Sequence, residues 1–269
     1  MIPNNLKRLW AQGVPTINGW LSIGNPFVAE IMAAQGYDSV TVDVQHGALD
    51  YSDALPMFQA MRASGIVPLA RTPWREPGVI MKLLDAGAYG IICPMINTPG
   101  EAAEFVSYLR YPPAGQRSFG PTRVGFAVGP NYAAEANGEI LAIAMIETQE
   151  AFDNVEAICA TPGLDGLYVG PADLTFSLTQ GRLVAALDRE EPEMIAAIRR
   201  ILAAAKAAGI KAGLHCGSAD YAARAIAWGF DMTTVSGDSR LLAAAAGASV
   251  KRFRELTGRD GAAGEKGAY

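Results

Sequence analysis

Two acidic residues close two apolar runs. Leu167-Tyr168-Val169-Gly170-Pro171-Ala172-Asp173-Leu174 reads as the end of a buried strand, stopped at Pro171, which has no N–H for a sheet ladder. Asp173 follows on the turn, where outward backbone N–H groups favour an anion. Taken alone, the stretch is equally a capped helix start. Ala142-Ile143-Ala144-Met145-Ile146-Glu147-Thr148 is a second apolar run ending in a carboxylate. Carboxylates at the ends of two successive buried strands suggest a shared metal ion. With no histidine or cysteine beside them, Glu147 and Asp173 are hard oxygen ligands suited to Mg²⁺ or Mn²⁺, with Co²⁺ as a third candidate. Open coordination positions would admit a bidentate 2-oxo acid.

Other polar residues fall at the ends of predicted strands: Trp20, Asp43, Gln45, His46, Arg71, His215, Cys216, Ser236 and Asp238. Arg71 could face the oxygen of such an acid. Metal plus guanidinium is the arrangement that stabilises a developing enolate. The plainer reading of Arg71 is a salt bridge to Glu147 or Asp173. His46 is the natural general base, or else a satisfied loop histidine. His215 is as readily a residue that only lines the mouth. None of the six lysines, Lys7, Lys82, Lys206, Lys211, Lys251 and Lys266, falls at a predicted strand C-terminus. A Schiff-base mechanism needs one there, so metal-assisted enolisation is the expected route.

The elements that would position these groups follow one recurring pattern: a helical stretch, a glycine, then an apolar run. It occurs at Gly36, Gly65, Gly87, Gly163, Gly209 and Gly229, each suited to ending a helix in the left-handed conformation. Strands near Thr16 to Ser22 and Leu141 to Glu147 lack this lead-in, which makes eight strands in all. Between them, Pro26 to Ala34 follows Asn25 as an N-cap, and Thr98-Pro99-Gly100-Glu101 is a capping box for a helix reaching about Arg110. Pro192 to Ala208 and Ser239 to Phe253 carry helical apolar patterns. Strand–helix alternation of this kind predicts an α/β fold, a single-domain (β/α)8 TIM barrel over residues 1–257 with a loose tail over 258–269. A short helix from Asn5 to Gln12 is expected to cap the barrel bottom. No Gly-rich dinucleotide loop follows the first strand, which disfavours an open doubly wound sheet. The long connections Tyr111 to Gly138 and Thr175 to Glu191 read as functional lids or interface elements.

Composition narrows the function classes. The chain has 269 residues, half of them hydrophobic, with net charge −5 and no basic tract, so nucleic acid is not an expected partner. No apolar run approaches a membrane span, and the first residues lack a signal-peptide pattern. Three cysteines without C-x-x-C spacing point to a reducing cytoplasm, and two histidines are too few for a histidine-rich zinc site.

Several motifs in this order resemble the HpcH/HpaI aldolase family: Val42-Asp43-Val44-Gln45-His46-Gly47, Leu69-Ala70-Arg71, Lys82-Leu83-Leu84-Asp85-Ala86-Gly87, Tyr111-Pro112-Pro113-Ala114-Gly115-Gln116-Arg117, Ile146-Glu147-Thr148 and Gly170-Pro171-Ala172-Asp173-Leu174. The similarity runs from about Leu6 to about Phe253. The family holds class II pyruvate aldolases similar to 4-hydroxy-2-oxoheptanedioate aldolase, 2-dehydro-3-deoxyglucarate aldolase and hydroxy ketoacid aldolases. The resemblance implies a metal held by Glu147 and Asp173, and a pyruvate carboxylate seated on Gly170, Pro171, Ala172 and Asp173. It implies Arg71 as the enolate-stabilising group, His46 as the base for the C4 hydroxyl, and Asp85 as the acid that raises the basicity of His46. Asp43 joins this catalytic set, with Gln45 beside the substrate and Trp20 and Leu214 as pocket walls. Partners would be a 2-oxo acid (pyruvate or hydroxypyruvate), an aldehyde, and further copies of the chain in a trimer or hexamer. Asp85 lies at a helix C-terminus near the barrel bottom, about 17–20 Å from its own mouth, so it would act in trans. Gln45 and Met145 depart from the family's common Glu and Gln, which leaves the donor and the aldehyde open. Rival readings are a CoA-ester lyase on the same scaffold, for which no basic cluster is present, and a non-catalytic protein that binds metal or oxo acid.

Overall fold

A computed structural model describes residues 1–259. The chain opens with α1 (Asn5–Ala11), β1 (Thr16–Leu21), α2 (Pro26–Ala33), β2 (Ser39–Asp43) and α3 (Tyr51–Met61), followed by a 3₁₀ turn at Arg62–Ser64. Next come β3 (Val67–Arg71), α4 (Pro77–Ala86), β4 (Gly90–Cys93), α5 (Pro99–Leu109), α6 (Thr122–Val128), α7 (Tyr132–Glu139) and β5 (Leu141–Ile146). Then follow α8 (Gln149–Asp153), α9 (Val155–Cys159), β6 (Gly166–Val169), α10 (Pro171–Leu178), α11 (Pro192–Ala207), β7 (Lys211–Cys216), α12 (Ala219–Trp228), β8 (Met232–Val235) and α13 (Asp238–Leu256). Each strand pairs in parallel with the next, and β8 closes on β1 with Thr16 beside Met232. The result is a closed eight-stranded (β/α)8 barrel, as the alternation predicts.

The glycines fix where the chain turns into the sheet. All six predicted helix stops have positive φ; Gly87 at 119° and Gly229 at 112° cap α4 and α12, with their N–H groups bonded back to helix carbonyls. Gly13, at φ 71°, does the same ahead of β1, so only β5 lacks a glycine lead-in. The two predicted N-terminal signals are also present. Asn25 accepts from the N–H groups of Phe27 and Val28, and Thr98 and Glu101 form a reciprocal capping box.

The core has two layers. Leu21, Val40, Val42, Ile91, Ala142, Val169 and Leu214 face outward and pack under the helices. Trp20, Leu69, Ile92, Ile143, Met145, Tyr168 and Met232 fill the barrel interior. Leu6 and Trp10 of α1 join that inner cluster from the bottom, and Trp10 Nε1 donates to Thr16 Oγ1 at 2.9 Å. This is the expected bottom cap.

Two segments differ from expectation. Tyr111 to Gly138 contains α6 and α7 rather than one long loop; Val124, Tyr132 and Ala136 are buried, and Ile2 N–H bonds to Val128 C=O at 2.9 Å. Its many Gly and Pro residues mask helices held by tertiary packing. The other connection begins inside α10 and is pinned downstream, where Asp188 accepts from Gly217 N–H at 2.7 Å and Ser218 Oγ at 2.6 Å. At the far end, α13 buries only Asp238, while Leu242 and Leu256 are 62% and 68% exposed. The expected tail over 258–269 lies outside the described residues from 260 onward.

Candidate active site

The strand register sets Asp43 beside Arg71 at the ends of β2 and β3. The Arg71 fork donates from Nε to Asp43 Oδ1 at 2.8 Å and from Nη2 to Oδ2 at 2.6 Å. Trp20 Nε1 donates to Oδ2 at 3.1 Å, and the N–H groups of Gln45 and His46 donate to Oδ1 at 3.1 and 3.2 Å. Burial works to raise the Asp43 pKa, but these donors outweigh it and hold the carboxyl below its ordinary range. Asp43 has no lone pair left for proton transfer. It stands behind Arg71 and orients it, with the guanidinium also stacked 4.9 Å from the Trp20 ring. The salt bridge considered for Arg71 therefore exists, but to Asp43 and not to Glu147 or Asp173.

Glu147 follows β5 directly. Its Oε1 accepts from Met95 N–H at 2.9 Å, and Met95 adopts the left-handed conformation (φ 57°) at the end of the neighbouring strand. The carboxyl is buried (2% exposed), and its pKa is pushed up to about 7. Burial is the main cause; the Met95 N–H opposes it and the nearby charge of Asp173 adds to it. Gly170 makes this packing possible: a Cβ there would lie 2.7 Å from Glu147 Oε2. Asp173 sits in the first turn of α10, which Pro171 opens.

These groups share one mouth cavity of about 210 Å³, lined by Trp20, His46, Arg71, Glu147 and the Gly170–Asp173 turn. His46 is exposed there, its backbone anchored on Asp43. No lysine lines the cavity. Lys211 instead lies at the bottom, 3.3 Å from Asp231.

Several predicted residues are placed elsewhere. Leu214 is fully buried under the helices and does not wall the cavity. His215, the next residue and so on the opposite face of β7, does. Gln45 does not line the cavity, and its Oε1 is buried without a partner. Cys216 is buried away from it. Asp238 accepts from the N–H groups of Ser22 and Ile23 at 2.9 and 3.0 Å, fastening the end of β1. Asp85 is absent from its own chain's cavity. It pairs with Arg117 Nη2 at 2.6 Å, in place of the Lys82 or Arg62 considered from sequence. Missed by sequence reasoning are Ser22, Leu187, Ser239 and Arg240. Arg240, in the first turn after β8, carried the one available signal: a cation just past a strand end.

The donor set fits a divalent cation. Among the described residues no group of three or more His, Cys, Asp or Glu is gathered as a metal site, and Glu147 and Asp173 are the two carboxylates that line the cavity. Glu147 Oε2 receives no hydrogen bond among the described residues, and the nearest guanidinium is committed to Asp43. A buried carboxylate and a solvent-facing one on the same cavity, neither paired with a cation among the described residues, suit a hard metal with open positions.

Comparison with known proteins agrees with this geometry. The sequence model of the HpcH/HpaI aldolase/citrate lyase family matches residues 17–245. A hydroxypyruvate/pyruvate aldolase of Rhizorhabdus wittichii is 42% identical over 253 residues, covering 94% of this chain and 100% of that protein. A 5-keto-4-deoxy-D-glucarate aldolase of Klebsiella pneumoniae is 35% identical, covering 88% and 92%. The crystal structure of an HpcH/HpaI aldolase/citrate lyase family protein from Burkholderia cenocepacia superposes with a TM-score of 0.85 at 33% identity, covering 93% and 99%.

Proposed function

The chain belongs to the HpcH/HpaI aldolase/citrate lyase family and is an aldolase, a carbon–carbon lyase, and from that premise we propose a divalent-metal-dependent reaction on 4-hydroxy-2-oxo acids. Cleavage would give an aldehyde and pyruvate or hydroxypyruvate. The observation that carries the reading is a buried Glu147 that feels the charge of Asp173 at the cavity, beside an Arg71 locked by Asp43.

Glu147 and Asp173 would hold Mg²⁺ or Mn²⁺, with Co²⁺ as an alternative; when bound, the ion draws electron density from the 2-oxo group. The N–H groups of the Gly170–Asp173 turn would seat the substrate carboxylate. His46 accepts the proton of the C4 hydroxyl. The C3–C4 bond then breaks, C4 leaves as the aldehyde carbonyl, and the electron pair forms the C2–C3 double bond of the enolate. Arg71, already oriented, donates to the enolate oxygen without rearranging. Protonation at C3 completes the donor product.

Asp85 would act on His46 of a neighbouring copy in a trimer or hexamer. Its carboxylate is anchored by Arg117 but still 28% exposed, and Phe119 and Phe126 nearby in sequence to Arg117 are 74% and 90% exposed. Three buried free cysteines suit a reducing compartment, and we place the enzyme in the cytoplasm. Among the described residues no helix is long and apolar enough to cross a membrane.

The test is exchange of pyruvate methyl protons for deuterium with Mn²⁺, with chelator, and in Glu147→Gln and Asp173→Asn. Exchange that needs both the metal and the two carboxylates is expected. Full exchange in chelated enzyme, or a borohydride-trapped pyruvyl-lysine, would overturn the mechanism.

A further inference from the structure

A line of buried hydrogen bonds climbs the inside of the barrel and ends at the mouth. Ser39 Oγ and Thr41 Oγ1 donate to Asn18 Oδ1 at 2.8 and 3.1 Å. Asn18 Nδ2 donates to Thr234 Oγ1 at 2.9 Å, Thr234 Oγ1 meets the Tyr168 hydroxyl at 2.5 Å, and that hydroxyl meets His215 Nδ1 at 3.0 Å. Asn18, Ser39, Thr41, Tyr168 and Thr234 are all fully buried, so each hydroxyl proton needs an acceptor within the line.

Proton accounting gives the line a direction. Ser39 and Thr41 both point at one oxygen, which fixes the Asn18 amide with its NH₂ toward Thr234. Thr234 Oγ1, having accepted, has its own proton to give, and Tyr168 is the acceptor in reach. Tyr168 must then donate onward to Nδ1 of His215. Running the line backward would strand the Ser39 and Thr41 protons inside the barrel. Burial pushes the Tyr168 phenol far up, so it keeps its proton. Burial, and secondarily the charge of Arg71, push His215 down to about 3, so the ring is neutral at pH 7. A neutral imidazole that accepts at Nδ1 carries its hydrogen at Nε2. Trp20 packs edge-on against the ring at 4.7 Å and holds its plane.

We propose that His215 is a specificity-determining residue whose fixed Nε2–H donates to a hydroxyl on the 2-oxo acid, favouring a C3-hydroxylated donor over one with a methyl group. The position supports this. Val169 pairs with Leu214 across β6 and β7, so His215 stands beside Gly170, at the turn that seats the carboxylate. Neighbouring strands lie about 4.8 Å apart, close to the span of a three-carbon acid. A hydroxyl on the far carbon meets a donor there, whereas a methyl leaves that donor unpaired. Trp20 Nε1 and two Arg71 nitrogens are already taken by Asp43 and do not compete. Tyr168 acts through His215 and is a positioning residue.

The inference rests on the aldolase reading above, and two measurements separate the two. First, kcat/KM is measured with hydroxypyruvate and with pyruvate, using one aldehyde and Mn²⁺, for wild type and His215→Leu. The hydroxypyruvate value should fall roughly tenfold further than the pyruvate value, the worth of one hydrogen bond. An unchanged ratio, or equal losses on both donors, would overturn the proposal. Second, ¹⁵N-histidine spectra of the full-length protein report the tautomer with no substrate present. The chain has only His46 and His215, so His46→Gln assigns the signals. A neutral ring protonated at Nε2 is expected at pH 7, with that preference lost in Tyr168→Phe; protonation at Nδ1, or an imidazolium, would overturn it. A wild-type enzyme that turns over neither donor would sink the aldolase reading, while the spectrum still decides the state of His215.

Discussion

Asp43 and Arg71, 28 residues apart in sequence, are joined by two parallel hydrogen bonds of 2.8 and 2.6 Å, and both side chains are largely withdrawn from water. The pair keeps one guanidinium edge occupied and leaves the rest of Arg71 facing the cavity. Asp43→Ala would leave a buried, unpaired cation. We expect a loss of about 3–5 kcal/mol in stability, the usual cost of removing one partner of a buried pair. Asp43→Asn, closer in shape, should retain more of the fold yet lose about 10²–10³-fold in kcat. Urea melts and steady-state rates check both; wild-type kcat in Asp43→Asn would refute the orienting role.

Gly170 is required by space, not by backbone angle. Its φ is −95°, which any residue adopts, but an added Cβ would press on Glu147 Oε2 and on Met145. Gly170→Ala should weaken Mn²⁺ binding by at least tenfold while the melting temperature changes little. Calorimetric titration with Mn²⁺ decides it, and undisturbed affinity would count against the metal assignment.

His215 should leave a signature in acid. Its folded pKa of about 3 lies below its unfolded value of 6.5, so the unfolded chain binds the extra proton first. The stabilising contribution is full above pH 6.5 and is lost as pH falls toward 3. His215→Gln removes this proton uptake, so its stability should decline less steeply than wild type across that window. Parallel pH profiles from chemical denaturation would contradict the burial of a neutral ring.

Asp85 and His46 should complement across subunits. His46→Ala should lose roughly 10²–10⁴-fold in aldol cleavage, the range for a general base. Mixed with inactive Asp85→Ala under conditions of subunit exchange, hybrid sites regain both residues and activity should return. Proven exchange without recovery would place Asp85 outside the reaction.

Helix α13 carries Leu242, Val250, Phe253 and Leu256 at 50–68% exposure, an apolar surface of the kind that marks association. Phe253→Glu together with Leu256→Glu should lower the assembly mass measured by light scattering. A monomeric wild type, or an unchanged mass in the double variant, would remove α13 from any interface.

Local signals in the sequence were enough for the architecture. Gly87, Gly229, Asn25 and Thr98 each specify a turn or cap with their near neighbours, and the barrel follows from the order of those signals. Contacts between distant residues were harder to read. The ends of β2 and β3 were legible, but no spacing announces that Asp43 spends its whole carboxylate on Arg71, Trp20 and two backbone N–H groups. Arg117, which pairs with Asp85, lies against Tyr132 of α7, and α6 and α7 were hidden by Gly and Pro. His215 was legible as a mouth residue at its strand end, whereas Leu214, implied as a wall by the resemblance, lies one residue earlier and so on the other face of the strand.

Seven left-handed glycines, Gly13, Gly36, Gly65, Gly87, Gly163, Gly209 and Gly229, lead into strands at the end of the barrel opposite the cavity. The turns that close the barrel thereby lie at the pole opposite the chemistry, while left-handed Met95 and Ser236 stand at the cavity pole itself. Change at Leu187, Ser239 or Arg240 would alter the cavity lining, and change at Gly87 or Gly229 the turns that lead into β4 and β8. A chain built this way could change what it accepts at one pole without disturbing closure at the other.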